Sequence, residues 1–164
     1  MKVLIAGDYC ADERVAELVD RDDFSTLFDK VKSIIEQYDF SIVNFEFPVV
    51  LSNPTPISKI GPNLWGSKKS VDAIKYAGFN VCTLANNHIL DQGEQCCIDT
   101  INLLHDAGIK TAGAGENLHA AENILYLHGE GMTLAVVNCC EHEYSYGIKS
   151  RSKSVKSCAS VLLK

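Results

Sequence analysis

No stretch of this 164-residue chain comes near the roughly 20 consecutive apolar residues that cross a bilayer, so no membrane span is expected. The opening apolar run, Val3 to Ala6, halts at Gly7-Asp8. That is too short for the apolar core of a secretory signal. It is read instead as a buried first strand, and a cytoplasmic location is expected. The chain has seven cysteines, an odd number, and no CxxC pair among them. Two pairs are vicinal, Cys96-Cys97 and Cys139-Cys140, which suits neither a disulfide framework nor a zinc ribbon. Buried thiols in a reducing compartment are the expectation. Acid is missing from the end of the chain. All 21 acidic residues precede residue 145, whereas residues 145–164 hold five basic residues and six serines. With a net charge of −6, the acidic body argues against nucleic acid as a partner. Residues 1–144 are taken as the domain and 145–164 as a basic, flexible Ser/Lys-rich tail.

Proline is equally restricted. All four prolines, Pro48, Pro54, Pro56 and Pro62, fall in a stretch without periodicity, and a long loop over residues 47–66 is expected. Loops of that length in a compact domain carry function or are ordered by packing. Elsewhere the periodicity is clear. Val3–Ala6 reads as strand one. Phe24, Leu27, Phe28, Val31, Ile34, Ile35 and Tyr38 line one helix face, with Asp22 or Asp23 as cap. Phe40–Phe45 is a second strand, about Ser67–Ala77 a second helix ended by Gly78, and Phe79–Leu84 a third strand. A third helix is expected from Asp91, spaced like a capping box with Glu94, to Gly108. A short strand over Ile109–Thr111, a short helix after Gly115 and a hairpin turning at His128–Gly131 complete the pattern. Strand and helix alternation predicts an α/β fold with a mostly parallel sheet and a C-terminal antiparallel hairpin.

Ligands of such sheets sit beyond the carboxyl ends of the strands. Those ends carry Gly7-Asp8, Asn44-Phe45-Glu46, Asn86-Asn87-His88 with Asp91 close behind, and Glu141-His142-Glu143. Carboxylate, amide and imidazole together form a ligand set for divalent Mn, Zn, Fe or Mg. Each position also has a plainer reading. An Asp after a strand caps helices, paired Asn residues make turns, and His142 is read as a surface histidine at a strand end. The convergence of several ends favours metal binding. The Gly113-Ala114-Gly115 loop suggests a phosphate cradle at a helix start. A dinucleotide fingerprint fails there, because Leu118 stands where Gly or Ala is needed.

The run Ala85-Asn86-Asn87-His88-Ile89-Leu90-Asp91-Gln92-Gly93 resembles the ANNH-x-x-D-x-G signature of the poly-γ-glutamate capsule synthesis proteins of CapA type. These belong to the calcineurin-like metallophosphoesterase superfamily. Gly7-Asp8, Asn44-Phe45-Glu46-Phe47-Pro48 and Gly113-Ala114-Gly115-Glu116-Asn117 resemble its other blocks, in the right order. The resemblance implies the N-terminal part of a metallophosphoesterase-like α/β sandwich. It implies metal residues Asp8, Glu46, Asn87 and His88, with His88 also acting on the leaving group as general acid or hydrogen-bond donor. It implies a capsule-biosynthesis protein that hydrolyses a phosphate ester or a capsule-type polymer, with a polyanionic polymer or phosphate ester as its partner. The family's later histidine segments are not found here. A truncated chain, weak activity and a homo-oligomer are therefore expected. The alternative is a non-catalytic accessory or polymer-binding module with a degenerate metal site.

Overall fold

A computed structural model describes residues 1–140 and the backbone of Lys156 and Ser157. Strands β1 (Val3–Tyr9), β2 (Phe40–Phe45), β3 (Val81–Thr83) and β4 (Lys110–Ala112) form one sheet in the order β1-β2-β3-β4, every pair parallel. Helices α1 (Glu13–Asp20) and α2 (Phe24–Ile35) connect β1 to β2; α3 (Lys69–Ala77) and α4 (Glu94–Asp106) make the next two crossovers. Each strand is added on the same side of its predecessor. Right-handed crossovers in one direction put all the helices on one face of the sheet. The larger core lies there: Val43, Phe45, Cys82 and Leu84 pack with Val19, Ile35, Ile74, Cys97 and Leu104.

On the other face lies the hairpin of β6 (Leu125–Gly129) and β7 (Met132–Val136), which follows β5 (Ala114–Gly115) and the short α5 (Leu118–Ala121). Its Leu127, with Leu125, Leu134 and Val136, covers Ile42, Val81 and Val3 in a smaller second core. The two-residue turn Glu130-Gly131 has positive φ at both positions, 49° and 73°, as a type I′ turn requires. The coverage is partial: Ile5, which pairs with Ile42, remains 78% exposed. The backbone of β8 (Lys156–Ser157) pairs antiparallel with β5. The flexibility expected for residues 145–164 otherwise lies outside the described residues.

The expected α/β class holds, with its parallel sheet and antiparallel hairpin. Asp23 caps α2 by accepting from Thr26 N–H, and Gly78, at φ 97°, ends α3. Three expectations need correction. Helix α1 was not foreseen; Asp12 caps it and Val19 anchors it in the core. Strand β3 is only three residues long. Helix α4 begins at Glu94 with Gly93 as its cap, so Asp91 does not cap it. Asp91 is fully buried and engaged elsewhere.

The long loop between β2 and α3 is well anchored. Val49 makes a parallel bridge to Gly66, and its N–H donates to Thr100 Oγ1 at 2.7 Å. A Cβ on Gly66 would lie 2.3 Å from the Phe47 ring, so only glycine lets the loop close this tightly.

Candidate functional site

The first strand reaches the site through an irregularity. Val3, Leu4 and Ile5 pair with Phe40, Ser41 and Ile42, but Asp8 pairs with Asn44. One extra residue on β1 has been absorbed between Ile5 and Asp8. Unbroken register would place Asp8 opposite Phe45, in line with Leu4 and Ala6, which face the helix-side core. The bulge shifts the alternation by one residue. Tyr9 takes the core position, and Asp8 emerges beside Asn44, exposed.

Asn44 then ties three strand ends together. Its Nδ2 donates to Asp8 Oδ1 at 2.8 Å, and its Oδ1 accepts from Thr83 Oγ1 at 3.3 Å and Asn86 Nδ2 at 3.4 Å. Asn86 is the organiser of the loop after β3. Its Nδ2 donates to the Phe45 carbonyl, and its Oδ1 accepts the backbone N–H of His88 and of Ile89. This is the side-chain turn that Asn forms readily, and it fixes where His88 leaves the backbone. A second clasp comes from Asn138, whose Oδ1 accepts from Leu84 N–H and Ala85 N–H. Asn87 is half-buried, and its side chain makes no hydrogen bond among the described residues.

His88 is held from behind. Its Nδ1 lies 2.7 Å from Asp91 Oδ2. Asp91 also accepts from Leu64 N–H at 2.7 Å and from Lys59 Nζ, and its carbonyl accepts from Ile57 N–H. Lys59 is 4% exposed at its side chain and Asp91 is 0% exposed, so this is a buried ion pair. Three of these partners, Ile57, Lys59 and Leu64, come from the proline-bearing loop.

The carboxylate half is different. Burial, then the negative charge of Asp8, raises the Glu46 carboxyl above its usual range, while His88 pulls it down. Burial, then Glu46, Asp12 and Asp8, pushes the Cys10 thiol up to about 11. The acids therefore share one field, with His88 within its reach. Asp8 and His88 both act on the Glu46 carboxyl, so these three strand-end residues lie within electrostatic reach of one another. Among the described residues, however, no three His, Cys, Asp or Glu side chains form a group able to hold a metal. The fourth strand end, Glu141-His142-Glu143, lies outside the described residues. Two roles escaped sequence reasoning: Asn44 as the bridge and Lys59 as the partner of Asp91. The advance signal for Lys59 was that it is the one charged residue in residues 47–66.

The expected phosphate cradle has a plainer explanation. Gly113 has φ 95°, and a Cβ there would lie 2.1 Å from Asn138 Oδ1; one on Gly115 would lie 2.6 Å from Ala120 Cβ. Close packing requires both glycines, and Asn117 caps α5 by accepting from Ala120 N–H. A cavity of about 390 Å³ adjoins this segment, lined by residues such as His105, Thr111 and Glu116. None of the strand-end residues Asp8, Glu46 or His88 lines it, so its size does not make it the chemical centre.

The family model described as "Bacterial capsule synthesis protein PGA_cap" matches residues 2–161. The capsule biosynthesis protein CapA of Bacillus anthracis is 34% identical over 139 residues, covering 84% of this chain and 34% of the relative. The PGA biosynthesis protein CapA of Bacillus subtilis is 29% identical over 132 residues, covering 80% of this chain and 35% of the relative. A probable polyglutamine synthesis accessory protein of Mycobacterium tuberculosis is 57% identical over 42 residues, covering 26% of this chain and 11% of the relative. The chain thus spans about a third of the length of the two CapA relatives. With nearly its whole length matched, and with the strand-end residues of the motif gathered at one sheet edge, the chain belongs to the PGA_cap family of bacterial capsule synthesis proteins.

Proposed function

We propose that this chain serves the biosynthesis of a capsule polymer of the poly-γ-glutamate type. In this reading its strand-end site takes a divalent cation and acts on a phosphate ester or a capsule-type polymer. One observation carries the reading: Asp8, Glu46 and His88, from three strand ends, lie close enough that Asp8 adds to the upward shift burial gives the Glu46 carboxyl and His88 opposes it. The donors fit a hard or borderline cation. Two carboxylates in each other's field gain by sharing a positive charge, and the Asn87 amide and His88 Nε2 have no partner among the described residues. Asp8, Glu46, Asn87 and His88 would hold the ion. When bound, it supplies Lewis-acid polarisation of a phosphate or carbonyl oxygen and an acidified water. The chain itself does the rest: Asn44 orients Asp8, and Asp91 orients His88. A cation is also the simplest bridge between a chain of net charge −6 and a polyanionic ligand.

The test is metal occupancy of the purified chain after dialysis against manganese or zinc. Asp8→Ala and His88→Ala should each lower it severalfold while the far-UV spectrum is retained. Folded variants that hold as much metal as the parent would remove the site. A second reading, a non-catalytic accessory module, is favoured by one observation: no group of three ligands closes among the described residues. Metal-independent binding of poly-γ-glutamate, without turnover of a phosphodiester, would select it.

A further inference from the structure

We propose that Lys59 is a positioning residue for His88: with Asp91 it fixes the imidazole in the tautomer that carries its proton on Nδ1 and leaves the Nε2 lone pair free. The inference deepens the proposed function, since Nε2 is the atom His88 would offer to a cation. The tautomer itself is set by this chain alone.

The argument begins with a competition for one atom. Asp91 Oδ2 lies 2.7 Å from His88 Nδ1, and Lys59 Nζ lies 3.2 Å from the same nitrogen. An ionised carboxylate only accepts, and an ammonium only donates. A proton on Nδ1 satisfies the shorter contact to Asp91. A lone pair there would accept from Lys59, but it would also face Oδ2 at 2.7 Å with no proton between two acceptors. The shorter, charge-assisted contact prevails. Lys59 then donates to Asp91 Oδ1 instead. Leu64 N–H occupies Oδ2 beside the imidazole, so both carboxylate oxygens are tied and the carboxylate plane is fixed. Lys59 also supplies the positive charge without which a fully buried carboxylate is costly at that position.

Lys59 is 29 residues away from His88 in sequence, on the proline-bearing loop. Ile57 N–H to the Asp91 carbonyl and Thr55 Oγ1 to the Gln92 carbonyl hold the same loop down. Those two contacts alone would anchor it. Lys59 is distinguished from a mere tether because it donates to Asp91 Oδ1 and so fixes the carboxylate whose other oxygen, Oδ2, faces His88 Nδ1.

The experiment is a long-range 1H–15N correlation spectrum of the histidine rings in the metal-free full chain, with His88 assigned by His88→Gln. The parent should show the Nδ1–H tautomer for His88. Lys59→Met should lose that single-tautomer pattern, and Lys59→Arg should restore it. A parent spectrum with the proton on Nε2 overturns the proposal, whether or not Lys59→Met folds. So does a folded Lys59→Met with an unchanged His88 pattern, which would mark a simple loop tether. In parallel, zinc titration should show Lys59→Met weakened about 10–100-fold, the scale of losing a partner behind a ligand histidine, with Lys59→Arg close to the parent. A parent that binds no zinc but shows the Nδ1–H tautomer removes the proposed function and leaves this inference standing.

Discussion

Behind His88 both oxygens of the Asp91 carboxylate are engaged, whereas in front of it two carboxylates lie in each other's field. On the rear side Asp91 faces His88 Nδ1 and accepts from Leu64 and Lys59, Asn86 accepts from the His88 and Ile89 backbones, and Asn138 clasps Leu84 and Ala85. On the front side Asp8 is exposed and steadied by Asn44, and Glu46 is kept above its usual range by burial and by Asp8. The difference teaches how such a site is built. The supporting side is buried, hydrogen-bonded and rigid, so the histidine needs no reorganisation. The carboxylate side keeps two acids in one field, and the proposed cation would relieve their repulsion. In the proposed reading, stability and binding are thus assigned to different residues.

That division can be broken most forcefully from the rear. Lys59→Met leaves the Asp91 carboxylate buried without its cation, and a loss of about 3–5 kcal/mol is expected from urea unfolding, by the usual cost of stripping one partner from a buried pair. A loss below about 1 kcal/mol would mean that the pair is solvated in solution. Gly113→Ala should cost about 1–3 kcal/mol, because the position combines φ 95° with a steric conflict against Asn138 and Ala85. Thermal unfolding of that variant reads it directly. From the front, Asp8→Asn should leave stability near neutral pH within about 0.5 kcal/mol of the parent, yet reduce metal occupancy.

The same variant tests the electrostatics. Glu46 titrates above its unfolded value, so between the two values the folded chain holds more protons than the unfolded one. Its contribution to stability is therefore present at low pH and is lost as pH rises through that window. Asp8→Asn removes the second cause and leaves burial. The Glu46 midpoint, followed by carboxyl-carbon NMR, should move down without reaching the unfolded value. An unmoved midpoint would place Asp8 outside the field of Glu46. The smallest effect is expected at the thiols. Cys97, pushed up to about 12 chiefly by burial, and Cys10, at about 11, should resist iodoacetamide at neutral pH until the chain unfolds.

Much of this was legible before any coordinates. Alternating apolar patterns located β1, β2, α2 and α3, and the positive-φ glycine at Gly78 marked a helix end. Helix α1 was passed over because its acidic residues hide a short apolar stripe of Val15, Leu18 and Val19, although Asp12 offered a cap. Asp91 was misread for a related reason: Asp at a helix start is so often a cap that spacing to Glu94 suggested one. Local sequence cannot show that a glycine-capped helix begins three residues later and that the acid has turned inward.

The sequence by itself determined the α/β class, the strand ends that bear Asp8, Glu46 and His88, and the family motif, because periodicity and strand-end chemistry are local properties. Only the tertiary structure decided that a bulge turns Asp8 out of the core, that Asn44 joins three strands, and that Lys59 reaches Asp91 behind His88. Register, burial and pairing across 29 or more residues arise from packing the whole chain, and no window of sequence contains them.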